Sequence, residues 1–104
     1  LVQPLRPSTP AALVEKGERL LRQGNVSAAR PLLRRAAEAG SADAALDLAK
    51  SFDPSFVPNG NPAGATADPA EAARWYKRAL KLERKDAAAD IERVTSMIKN
   101  TAPQ

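Results

Sequence analysis

A chain of 104 residues with a net charge of +4 makes one domain or a piece of a larger architecture, and a charge that modest needs a spatial argument before it implies nucleic acid. It contains no Cys and no His, which removes disulfides, thiolate or imidazole metal sites, a cysteine nucleophile and a histidine general base. The apolar fraction is 43%, but alanine dominates it, and burying alanine removes only about a methyl group's worth of area from water. The expected core is therefore thin, built from closely approaching helices with Ala as spacer, and the scarcity of β-branched residues favours an all-α fold.

The chain opens on LVQPLRPSTP, whose three prolines mark Leu1 to Ser8 as a Pro-rich linker and suggest a fragment of a longer protein. Thr9-Pro10 then starts a first helix with Thr as N-cap and Pro at the first helical position. Leu13, Gly17, Leu20 and Leu21 give it one apolar stripe. Gly24-Asn25 ends it, and Asn25 is placed to cap a second helix running to about Ala39 and Gly40. Pro31 falls inside that second helix, so either the helix begins near Arg30 or its first turn is bent. Ser41 caps a third helix reaching Lys50 or Phe52, with Ala45, Leu48 and Ala49 inward.

The segment SFDPSFVPNGNPAGATADP holds four prolines, two glycines and both phenylalanines of the chain, and predicts a long loop over 53–67. Asp68-Pro69-Ala70-Glu71 is the strongest helix start present, with an acidic N-cap, Pro at N1 and Glu at N3. The fourth helix runs to about Leu82. A fifth, from about Asp86 to Lys99, carries Ile91, Val94 and Ile98 on one side. No apolar run approaches the roughly 18 residues of a membrane span.

A shift of 43 residues lays LLRRAA, Leu32 to Ala37, over WYKRAL, Trp75 to Leu80. The same register lays DAALDL, Asp43 to Leu48, over DAAADI, Asp86 to Ile91. A period of this size implies a helix-pair repeat whose units cover one another's apolar faces. Ala45, Leu48, Ala49 and Phe52, followed by Asp68, Glu71, Ala72, Trp75, Tyr76 and Ala79, resemble the Sel-one-like repeats, a branch of the tetratricopeptide-like helical solenoids. Leu80 and Glu83 depart from that pattern, where the family has Ala and a closing Gly, and the loop after Phe52 is longer than the family's turn. The resemblance implies a short right-handed superhelical stack of α/α helix pairs, about five helices in all, acting as an adaptor for other proteins without catalysis. It also implies that the first helices of each unit, over 10–23, 42–52 and 86–99, line the concave side.

Within that frame the repeat core comprises Leu32, Leu33, Ala36, Ala45, Leu48, Phe52, Ala72, Trp75, Tyr76, Ala79 and Ile91. Phe56 and Val57 sit in the loop where no repeat position demands them. They either staple the loop to the helices beneath or, with Asn59 and Asn61, offer it to a partner protein or peptide. Arg74, Lys77, Arg78, Lys81 and Lys85 form a basic stripe, which reads first as a solvated face and second as a site for nucleic acid or another anionic surface. A structural spacer is the third reading. The scattered carboxylates are accounted for as caps, turn formers and helix-dipole partners, so neither enzyme activity nor a cofactor is expected. So few repeats leave an end of the stack open to the parent chain or to weak self-association.

Overall fold

The computed structural model describes residues 9–57 and 66–101. The linker over 1–8, together with Asn59 and Asn61, lies outside the described residues. The fold is all-α, with five helices and no strand among the described residues: α1 Pro10–Arg22, α2 Val26–Glu38, α3 Ala42–Phe52, α4 Pro69–Lys81 and α5 Ala87–Thr101. Each helix packs against the next in sequence, and α1 also reaches α3. None of the described helices is long and apolar enough to cross a membrane.

The helix starts follow the expected chemistry in three cases. Thr9 Oγ1 accepts from Ala12 N–H at 3.2 Å and Ser41 Oγ from Ala44 N–H at 3.1 Å. Asp68 Oδ1 accepts from the N–H groups of Ala70 and Glu71, at 3.1 and 3.2 Å. Asn25 differs, because its side chain makes no capping bond. It takes the position after a Schellman turn instead, donating its own N–H to the Leu20 carbonyl at 2.8 Å. α2 begins at Val26 and runs through Pro31, so the expectation of a start near Arg30 is corrected. Buried Val26 and Ala29 anchor the turn that precedes the proline. Pro31 itself faces outward, where water can serve the backbone that loses its partner.

Alanine does serve as the spacer. Ala29, Ala36, Ala37, Ala44, Ala45, Ala49, Ala72, Ala79 and Ala87 have no exposure, and among them stand Leu33, Leu48, Tyr76 and Val94. Leu32 and Ile91, both expected in the core, are half-buried at its edge. Residues related by the 43-residue shift match in the middle of the molecule: Leu33 with Tyr76, Ala36 with Ala79, and Ala44 with Ala87 are all fully buried. The match fades on α5. Ala88 is exposed where Ala45 is buried, and Ile98 is 36% exposed, because no further described helix covers α5 as α4 covers α3.

Gly17 sits where α1 meets α2. A Cβ built there would lie 2.7 Å from Leu33 Cδ2 and Cγ, and Leu33 has no exposure to move into. Gly17→Ala is therefore expected to destabilise by about 1–2 kcal/mol, overpacking outweighing the gain in helix propensity. A chemical denaturation curve with an unchanged midpoint would contradict this.

Three helices end in the same Schellman turn. Gly24, Gly40 and Glu83 occupy the C′ position with φ of +79°, +105° and +76°. In each turn the residue after C′ donates back across the last helical turn: Asn25 N–H to Leu20, Ser41 N–H to Ala36 and Arg84 N–H to Ala79. Glu83 is the position where the repeat pattern has glycine, and the backbone adopts the left-handed conformation although the side chain disfavours it. Glu83→Gly is expected to raise stability by about 0.5–1 kcal/mol, which a thermal melt resolves as an upward shift of a few degrees.

Candidate functional site

The loop after α3 is held by two networks. Its ends meet where Asp68 N–H donates to the Phe52 carbonyl at 2.7 Å. Arg30 of α2 spans both ends: its guanidinium donates to the carbonyl and hydroxyl of Ser51, and to the Thr66 carbonyl at 2.8 Å. The same guanidinium lies 3.9 Å over the Phe52 ring, so the clamp is also a cation–π contact. Burial, then the neighbouring Arg34, pull Arg30 below its ordinary range, with Asp68 opposing them.

The second network centres on Asp53, which is fully buried. Arg93 of α5 grips it with two parallel bonds, Nη1 to Oδ1 at 2.9 Å and Nη2 to Oδ2 at 2.7 Å. Tyr76 of α4 donates its hydroxyl to Oδ2 at 2.6 Å, and Ser55 N–H donates to Oδ1 at 2.9 Å. Arg93 also reaches Ser55 Oγ at 2.7 Å and Asp90 Oδ1 at 2.8 Å. Burial pushes the Asp53 carboxyl up, but the bonds from Arg93, Tyr76 and Ser55 together outweigh it and hold it below the usual carboxylate range. For Tyr76, burial followed by the bond to Asp53 raises the phenol. One buried carboxylate thus ties the loop to two helices that follow it in the chain.

The backbone leaving Asp53 turns sharply. The N–H groups of Phe56 and Val57 both donate to the Asp53 carbonyl at 2.9 Å, and the two side chains beyond that turn differ sharply in burial. Val57 points down, 3% exposed, and packs with Val26, Leu21 and Ala67. The expectation that Val57 contacts a partner is thereby corrected: it is the staple. Phe56 points out, 55% exposed, with Lys50 Nζ 5.6 Å from its ring centre. Beside it is a hollow of about 230 Å³ lined by Leu21, Val26, Lys50, Ser51, Phe56 and Val57.

A second concavity lies at the far end of α2. It measures about 400 Å³ and is lined by Glu38, Arg74, Trp75, Lys77, Arg78 and Lys81. Four of the five stripe residues thus share one groove. Lys85 lies beyond the Glu83 turn and is not part of its wall. Trp75, 9% exposed, donates its indole N–H to Glu71 Oε2 at 3.3 Å, and Arg74 binds Glu71 Oε1 at 3.0 Å. Tyr76 has no exposure, and Trp75, largely buried, meets the groove at its edge.

Sequence reasoning missed the Asp53 network, the Arg30 clamp and two further charge clusters. Arg84 joins Asp43 to Asp86; Asp86 accepts at 2.8 and 3.0 Å. Asp47 of α3 faces Glu18 of α1, and its Oδ2 is buried with no donor. Burial, then the hydrogen bond shared with Glu18 and the repulsion from it, push Asp47 up to about 8. Protonating Asp47 removes the buried charge that this setting disfavours. Among the described residues no carboxylate group is arranged to hold a metal ion. Comparison with known proteins finds no matching family model, no matching curated sequence and no matching solved structure.

Proposed function

We propose that the chain is a protein-interaction module of the helix-pair repeat kind, its helices stacked as a short right-handed superhelix with tetratricopeptide-like packing. The observation that carries this reading is Phe56. A phenylalanine 55% exposed, on a turn whose base is tied by Asp53, Tyr76, Arg93 and Arg30, is an aromatic anchor whose ordering cost is met before binding. The hollow beside it accepts an apolar side chain next to the ring. The absence of histidine and cysteine from the sequence supports recognition rather than catalysis.

The test is a pull-down from cell lysate at high salt with the intact protein and with Phe56→Ser. Phe56 is 55% exposed and outside the buried core, so the variant should keep its melting temperature to within a few degrees. The reading expects a polypeptide that the intact protein retains and the variant loses. Identical sets of captured proteins would remove Phe56 as the anchor.

A further inference from the structure

The groove at the end of α2 is a second concave surface, separate from the Phe56 hollow. The two share no lining residue, and they lie at opposite ends of α2, beside Val26 and beside Glu38. We propose that this groove binds an acidic peptide segment of a partner protein, one that carries a leucine-like side chain between its carboxylates.

Charge complementarity points to the acid. Arg74, Lys77, Arg78 and Lys81 stand at i, i+3, i+4 and i+7, so they fall along one face of α4. They span about 10 Å of helix axis, the length of roughly three extended residues. Two of the four are already engaged: Arg74 with Glu71 at 3.0 Å, and Arg78, which reaches the Ala37 carbonyl of α2 at 3.5 Å. Lys77 and Lys81 form no ion pair among the described residues, and both are exposed. With Arg78, whose charge a neutral carbonyl leaves in place, they are the cations of the groove that no carboxylate pairs among the described residues.

The same walls discriminate against a nucleic acid strand. Trp75 is 9% exposed and Tyr76 not at all, so neither ring is open for a base to stack on. Glu38 in the wall, with Glu71 behind Arg74, would repel a continuous run of phosphates. A peptide places its carboxylates intermittently and can leave Glu38 facing a neutral or basic residue. Between the charges the groove offers the indole edge and the aliphatic stems of lysine and arginine, which suit an apolar side chain.

Trp75 is the only tryptophan and lines the groove, so its emission reports occupancy directly. The experiment titrates the protein with an acetylated peptide of about eight residues, glutamates flanking two leucines. Its counterpart with glutamine for every glutamate and a short oligothymidylate serve as comparisons, each at about 0.05 M and about 0.5 M salt. The acidic peptide is expected to give a saturable Trp75 response, weakened by salt and absent with the glutamine peptide. Lys77→Glu combined with Lys81→Glu should weaken it by about tenfold or more. Lys77→Gln with Lys81→Gln, which neutralises without reversing, should give an intermediate loss and stands in if the reversed protein melts early. Phe56→Ser should leave this binding unchanged, so failure here and failure at the Phe56 anchor are separately visible. No saturable response to the acidic peptide would overturn the proposal, as would equal binding by both lysine variants. Tighter binding of the oligothymidylate would overturn it in favour of a nucleic acid.

Discussion

Asp53→Ala is expected to cost about 3–5 kcal/mol, lowering the melting temperature of a domain this size by about 15 °C or more. The carboxylate has no exposure and accepts from two nitrogens of Arg93, from the Tyr76 hydroxyl and from the Ser55 N–H. Removing it leaves the Tyr76 hydroxyl buried without its acceptor and a guanidinium reduced to Asp90 and Ser55, which costs more than the net worth of the intact pair. A domain whose total stability is about 5–15 kcal/mol has little margin for that loss. Asp53→Asn should fall between, because it keeps one acceptor but turns amide hydrogens toward donors. A melting temperature within a few degrees of the unaltered protein would show that helix packing alone seats the loop. Asp53→Ala combined with Arg93→Ala separates the two contributions, since the double variant should cost less than the sum of the single ones.

The second large effect is a stability profile that peaks in mild acid. Asp47 is raised to about 8 in the folded protein, so its unfolded form releases a proton over a range in which the folded form holds one. Stability from that group is full below about pH 4 and declines as pH rises towards 8. Glu18, Asp43 and Lys50 are the charged groups around it. Asp53 has the opposite sign. Its carboxyl is held below the ordinary value, so its contribution is present above about pH 4 and is lost as pH falls through the folded value. Asp47→Asn removes the charge that burial and Glu18 disfavour and keeps a similar shape. It is expected to stabilise by about 1–2 kcal/mol at pH 8, after discounting for a side chain that solvent partly screens, and to do little near pH 4. Melts between pH 4 and pH 8 should show the two proteins diverging with rising pH, and parallel curves would refute the raised Asp47 carboxyl.

The helices were legible because their signals are local. Thr9, Ser41 and Asp68 each announce a start by an oxygen that reaches a backbone N–H two or three residues on, and Gly24 and Gly40 each announce a stop. Asn25 misled because the Schellman turn after α1 uses its backbone and leaves the side chain no geometry for capping. Leu32 and Ile91 misled because a repeat register assigns a face without saying whether a neighbour covers it. The networks around the loop were not legible at all. Asp53-Pro54 reads as a turn signal, and nothing in it points to Tyr76 or Arg93, which lie 23 and 40 residues away. Arg30 is likewise remote, 21 residues from Ser51 and 36 from Thr66. Val57 and Phe56 are adjacent apolar residues, and only the turn around the Asp53 carbonyl separates the staple from the exposed ring. The basic stripe was visible as spacing, whereas the groove depends on where Glu38 arrives from another helix.

The closed base of the loop has a practical consequence. Because Phe52 and Asp68 are bonded to each other, and Arg30 ties Ser51 to Thr66, the spacing of α3 and α4 does not depend on how much chain runs between 57 and 66. Lengthening such a connection costs only about 0.6 kcal/mol per doubling. That makes the position a socket for grafting: an epitope, a protease site or a fluorescent reporter inserted there would be presented from a fixed base, with the helices keeping their register.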